Sequence, residues 1–327
     1  MPSFAPMRIF NQNLEGAPGE ESSTEIKIGG HLKKILIPAN SLLNQNFEQE
    51  KFLVDKLIPK ASLTGFVGES DAGKSSFLRQ LAVAMVYGDD EFLGFKINGG
   101  CNNVLYVSSE DGIVGTSEWL KKHFGEDSPN EELLSKLHFI YNTDRITLNL
   151  REVITKNCID LVIIDAYGDV FEGDTNHTNQ VRGFLKNYSN LANEFGTTFI
   201  FLHHTNKSAV GRPNKNNISG SHSFEAKMRS VLFLTKDTND DKLRNLSVVK
   251  GNYLSTTEKS ECYVLEFNEQ LSFVNTGRRV LLNKLGEESY IELAKELKSN
   301  GKSYREIESI LKEKGFKTSS STLQRKI

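Results

Sequence analysis

The chain has 327 residues, 38% of them hydrophobic, and a formal net charge of −2. That is the size and polarity of one large α/β domain with something small beside it. No apolar run approaches the roughly 20 residues of a membrane span, and no charged leader followed by an apolar stretch opens the chain. A near-balanced charge confines any nucleic-acid contact to local patches, and three scattered cysteines with no CxxC pair argue against a disulfide frame or a zinc site and for a reducing, cytoplasmic setting.

In chain order, residues 1–35 are polar and rich in Gly, Glu and Ser, which predicts a flexible or loosely docked arm. A globular pattern begins at residue 36. The apolar β-type segment Leu63–Val67 runs into Gly68-Glu69-Ser70-Asp71-Ala72-Gly73-Lys74-Ser75, the phosphate-loop pattern G-x-x-x-x-G-K-[ST]. Phe77, Leu78, Leu81, Ala82, Met85 and Val86 then recur at helical spacing. Strand, glycine loop and helix are what phosphate binding needs: glycines let backbone amides converge on phosphate oxygens, and the helix N-terminus adds positive potential. Residues Gly68 through Ser76 are therefore the expected cradle of ATP, with Lys74 on the β- and γ-phosphates and Ser75 on Mg²⁺.

Five further β-type segments follow: Asn103–Ser108, His138–Tyr141, Asp160–Asp165, Thr197–His203 and Ser230–Thr235. Helical patterns at Thr116–Phe124, Leu150–Asn157 and Asn179–Phe195 lie between several of them. This alternation predicts a doubly wound, mainly parallel sheet. The β-rich stretches Asn245–Lys250, Cys262–Asn268 and Leu271–Asn275 predict an antiparallel extension, so the main domain is expected over 36–283. Residues 284–327 read as three short helices, with the capping box Ser303–Glu306 opening the second. Helix, turn and a Ser/Thr/Arg/Lys helix describe a helix-turn-helix that reads duplex DNA, or equally a small helical appendage that packs on the ATPase or on a neighbouring protein.

The strand Leu161–Asp165 presents a carboxylate at its C-terminal end, as a second Mg²⁺-linked carboxylate requires. Many ATPases carry the water-activating Glu directly after this Asp, but here Ala166 stands there. The strand Asn103–Ser108, which could lie beside the phosphate-loop strand, ends in Glu110 and Asp111. Glu110 is the candidate general base, and Asp111 is a reserve or a helix cap. The strand ending at His203 and His204 offers a γ-phosphate sensor. Alternation sends the two rings to opposite faces, one toward nucleotide and one toward core or interface.

Together these segments resemble the RecA-like ATPases, most closely the RepA-type hexameric replicative helicases of plasmids and phages, relatives of the DnaB-type helicases. The resemblance runs from about Ser41 to Tyr253. It rests on Leu53–Pro59, the phosphate loop, Ser109-Glu110-Asp111, Ile163-Ile164-Asp165, Phe201–His204, Ser219-Gly220-Ser221 and Lys250-Gly251-Asn252-Tyr253. It implies that Glu110 is the base, Asp165 the second carboxylate and His204 the sensor. Arg229 would be an arginine finger reaching a neighbouring subunit, assisted by Lys250. Ser219 replaces the arginine of the family's R-G-S, Leu254 an expected glycine, and Asn252 the arginine of the DnaB-type K-x-R. These departures bear on coupling between subunits, not on nucleotide binding.

The loop Tyr167–Asn179 is acidic. The loop Thr205–Ser221 carries Lys207, Arg212 and Lys215 among Gly, Asn and Ser, as a pore loop tracking single-stranded backbone would. The leading expectation is a ring-forming ATPase that moves on single-stranded DNA. An ATP-switched DNA-binding regulator or loader and a recombinase-like filament former are the alternatives.

Overall fold

A computed structural model describes residues 24–28, 31–36, 39–40, 52–99, 103–143, 146–205, 222–237, 240–282, 287–313 and 318–327. The chain divides into two compact units, Met1–Gln49 and Glu50–Ile327. In the first, the strands β1 (Thr24–Ile28) and β2 (His31–Leu36) pair antiparallel, Ile28 opposite His31. Regular structure thus occurs inside a stretch whose composition predicted an arm.

The second unit opens with two short ribbons, β3 (Phe52–Val54) with β4 (Ile58–Pro59) and β6 (Glu91–Phe92) with β7 (Phe95–Lys96). Its frame is a nine-stranded sheet. Six strands are mutually parallel: β5 (Leu63–Gly68), β8 (Val104–Ser108), β9 (Leu137–Ile140), β10 (Leu161–Asp165), β11 (Thr198–His204) and β12 (Ser230–Lys236). Antiparallel β13 (Leu243–Gly251), β14 (Glu261–Phe267) and β15 (Phe273–Leu281) extend one edge. The spatial order is β15-β14-β13-β12-β5-β11-β10-β8-β9. One expectation is corrected here: β8 does not adjoin the phosphate-loop strand β5, because β11 and β10 intervene.

Central strands are apolar on both faces because helices cover both. Phe66, Tyr106, Ile163 and Leu202 pack with α1 (Lys74–Tyr87) and with Trp119 of α2 (Ile113–Phe124). Their strand neighbours Val67, Val107, Val162 and Phe201 face the other way. They pack with α4 (Ile146–Asn157) and α6 (Thr178–Phe195), through Leu150, Ile154, Leu185 and Tyr188. A short α3 (Glu131–Leu134) precedes β9. The segment read as an acidic loop begins with the short helix α5 (Tyr167–Val170), whose Tyr167 is buried and stacks on Phe171.

After the sheet, α8 (Glu287–Ser299), α9 (Tyr304–Glu313) and α10 (Ser320–Lys326) gather around Tyr290, Ala294, Ile307, Leu311 and Leu323. The capping box forms as the sequence predicts. Glu306 accepts from the Ser303 amide at 2.7 Å, and the Glu306 amide donates back to Ser303 Oγ at 3.3 Å. No described helix is long and apolar enough to cross a membrane.

Candidate active site

The C-terminal ends of β5, β11, β10 and β8 lie along one edge of the sheet, and the loops that leave them carry the chemistry. His204 pairs in register with Gly68, and Asp165 with Ser108. Gly68 has no alternative here, because a Cβ on it would stand 2.3 Å from the Leu234 carbonyl oxygen of β12. Gly73 turns into α1 at φ +87°, in the left-handed region, with Phe273 2.9 Å from where its Cβ would be. Both positions demand glycine for steric reasons before any ligand is considered.

Lys74 is buried, with 6% of its surface exposed, and its ammonium donates to the Glu69 carbonyl at 2.6 Å. Burial lowers its pKa, while the charges of Glu110, Asp165, Asp71 and Glu69, in falling order, raise it. Glu110 is therefore the strongest charged influence on Lys74, although their strands are three places apart. The Glu110 carboxylate also meets the ring of His204, Oε1 to Nε2 at 3.0 Å, and both side chains are about half exposed. His203 points to the opposite face, packed between Tyr167 at 5.0 Å and Phe224 at 4.7 Å. Phe224 lies in α7 (His222–Lys227). Alternation along β11 thus separates a core histidine from a site histidine.

Asp165 is 2% exposed. Burial raises its pKa, while the hydroxyls of Tyr106 and Ser75 and the Arg79 guanidinium lower it. Tyr106 donates to Oδ2 at 2.6 Å. Oδ1 is buried and makes no hydrogen bond with any described residue. A buried carboxylate with one oxygen outside hydrogen-bond geometry, and the Ser75 hydroxyl near enough to lower its pKa, form a donor set that fits a hard cation shared with phosphate. Ser109 ties the two loops together: its amide donates to the Asp165 carbonyl at 2.7 Å, and its hydroxyl lies 2.6 Å from Asp169 Oδ2 and accepts from the Ala166 amide.

Asp111 does not cap the helix that follows it. Gly112 caps α2, and the Asp111 carboxylate is ion-paired with the buried Arg79 of α1, whose guanidinium lies over the rings of Tyr106 and Trp119. This pair fixes the loop that carries Glu110. Arg244 was also missed by sequence reasoning. It is buried under the phosphate loop, donates from Nε to the Ala72 carbonyl at 3.1 Å and lies over Phe267. Its only sequence signal was a charge immediately before the β-rich stretch Asn245–Lys250.

Arg229 and Lys250 lie at the other end of the sheet. The Arg229 amide donates to the Leu63 carbonyl, and Lys250 pairs in register with Val231. Leu63 is five residues before Gly68, so Arg229 stands about 16 Å along β5 from the phosphate loop. Its side chain is exposed and makes no hydrogen bond or ion pair with any described residue. Lys250 is engaged within the chain, 3.2 Å from Glu225 Oε1 and donating to the Glu225 carbonyl at the end of α7. Lys207, Arg212 and Lys215 lie outside the described residues.

A family model described as AAA domain matches residues 33–210, more than half of the chain. A solved structure described as an ATPase domain aligns with a TM-score of 0.54 at 16% identity, covering 72% of this chain and 96% of that one. At that identity the likeness speaks for the fold, which is RecA-like. No curated protein sequence matches the chain.

Proposed function

Because the chain belongs to the AAA domain family, we propose that it is an ATP-hydrolysing, ring-forming motor on single-stranded DNA, of the RepA-type replicative helicase kind. The observation that carries this reading is the grouping of Lys74, Asp165, Glu110 and His204 at one sheet edge, with Glu110 the leading charged influence on Lys74 and hydrogen-bonded to His204.

In this reading the amides of Gly68 to Ser76 cradle the triphosphate, and Lys74 leaves the Glu69 carbonyl for the β- and γ-phosphates. Ser75 and Asp165 would hold Mg²⁺, which would neutralise charge developing on the phosphates. Glu110 orients a water and takes its proton as the oxygen joins the γ-phosphorus and ADP departs. His204, held by Glu110 and leading directly into residues 205–221, passes the loss of the γ-phosphate to Lys207, Arg212 and Lys215 on the DNA backbone.

Arg229 cannot serve its own subunit's phosphates from the far edge, so it serves a neighbour's in a homo-hexamer or similar ring. Ile113 and Val114, 69% and 73% exposed just beyond Asp111, supply apolar surface for that contact beside the nucleotide.

The test is the ATPase rate with and without single-stranded DNA, alongside a mass measurement of the assembly. Strong stimulation and a closed oligomer are expected, with Lys74→Ala losing nucleotide binding or turnover. Slow turnover indifferent to single strands would favour the ATP-switched regulator, and open helical assemblies the recombinase-like filament.

A further inference from the structure

The three C-terminal helices carry none of the residues placed in the candidate ATP site. They close on their own core, Leu323 of α10 packing with Ile307 and Leu311 of α9 and with Tyr290 and Ala294 of α8. The start of α10 is held twice. Ser319 caps it, accepting from the Thr322 amide at 3.3 Å, and Glu308 of α9 reaches across to accept the Ser320 amide at 2.7 Å. The second helix is thereby pinned at a set angle to the first by a buried leucine and a cross-helix carboxylate.

What α10 turns outward is chemically specific. Ser321, Gln324 and Arg325 are exposed, and their spacing of three and four residues places them on one stripe, away from the buried Leu323. Lys326 is turned back onto Tyr290, Nζ to the hydroxyl at 3.2 Å, which leaves Arg325 as the cation of that stripe. The acidic residues of this unit lie on α8 and α9, and between Ser319 and Ile327 there are two basic residues and no acidic one. Glutamine matches the major-groove edge of adenine and arginine that of guanine, each by two hydrogen bonds, while serine is permissive. A short polar helix fixed on a small three-helix core fits a groove about 12 Å wide.

We propose that Ser321, Gln324 and Arg325 form a sequence-reading site for duplex DNA, separate from the single-strand path through the ATPase. The motor would thereby be directed to a defined duplex site.

The test is selection of the full-length protein against a pool of random-sequence DNA duplexes, followed by affinity measurement on the winners. The wild type is expected to enrich a short motif. Arg325→Ala and Arg325→Lys are expected to bind the enriched duplex about tenfold more weakly and lose preference at one position, since lysine keeps the charge but not the fork. Gln324→Ala should relax a neighbouring position. All three should retain wild-type melting and wild-type ATPase on single-stranded DNA, while Lys74→Ala should still select the motif. If the wild type enriches no sequence, or if the Arg325 and Gln324 variants select the same motif with unchanged affinity, the proposal is wrong.

Discussion

At Asp165 burial and ionisation oppose one another. Burial raises the carboxyl's pKa more than Tyr106, Ser75 and Arg79 lower it. A carboxyl whose folded pKa exceeds its unfolded value contributes stability while protonated, and that contribution is lost as pH rises from the unfolded value through the folded one. In nucleotide-free protein at neutral pH the anion is therefore a cost. Asp165→Asn is expected to melt at or above the wild-type temperature at pH 7, the gap closing as pH falls into the ordinary carboxylate range. Its magnesium-dependent turnover should drop on the order of a hundredfold or more, because a catalytic cation supplies several kcal/mol. Thermal melts across pH and an ATPase titration with Mg²⁺ check the two halves. In the proposed mechanism Glu110→Gln keeps the shape of the side chain and removes its basicity, so ATP should stay bound while hydrolysis falls about 10²- to 10⁴-fold. Equilibrium nucleotide binding and single-turnover rates on the same preparation distinguish these effects, and wild-type turnover would remove Glu110 from its role.

At the scale of elements, the site depends on how neighbouring strands and helices seat one another. Strand β5 lies between β11 and β12, and its last residue tolerates no side chain because the Leu234 carbonyl is in the way. Helix α7 supports the same region from one face: Phe224 is 1% exposed, packs on His203 and Tyr167, and lies 3.0 Å from where a Cβ on Gly65 would be. Phe224→Ala should destabilise the protein by about 3–5 kcal/mol, as deletion of a buried ring does, and this is measurable by chemical denaturation. On the opposite side, β13 supplies Arg244 to the Ala72 carbonyl. Arg244→Met preserves bulk but not that bond, and hydrogen bonds from charged donors contribute about 1.5–3 kcal/mol. The variant should bind ATP roughly tenfold or more weakly, with turnover at saturating ATP little changed, as nucleotide titration and steady-state rates would show.

At the scale of the whole molecule, the proposed mechanism divides the catalytic centre between the two ends of one sheet. The phosphate loop, Glu110 and His204 occupy the C-terminal edge, and Arg229 stands exposed at the other, about 16 Å away along β5. Arg229→Ala should lose most DNA-stimulated ATPase alone and regain part of it when mixed with Lys74→Ala, because each variant would supply the other's missing half across an interface. Absence of rescue in mixed assemblies would point to a role within the subunit or to none. Much of this was legible in the residues themselves. The phosphate loop, the strand ends at Asp165 and His204, the parallel alternation and the Ser303 capping box depend on contacts within a few positions, which spacing and side-chain chemistry determine directly. Tertiary structure alone decided which strand ends are neighbours: β8 lies three places from β5, yet the loop after it brings Glu110 within electrostatic reach of Lys74, while Asp111 is taken by Arg79. It also decided that Arg244, 172 positions from Ala72, supports the phosphate loop. Such pairings are set by sheet order and the packing of both faces, and these depend on the whole chain closing at once, so no local window of sequence contains them.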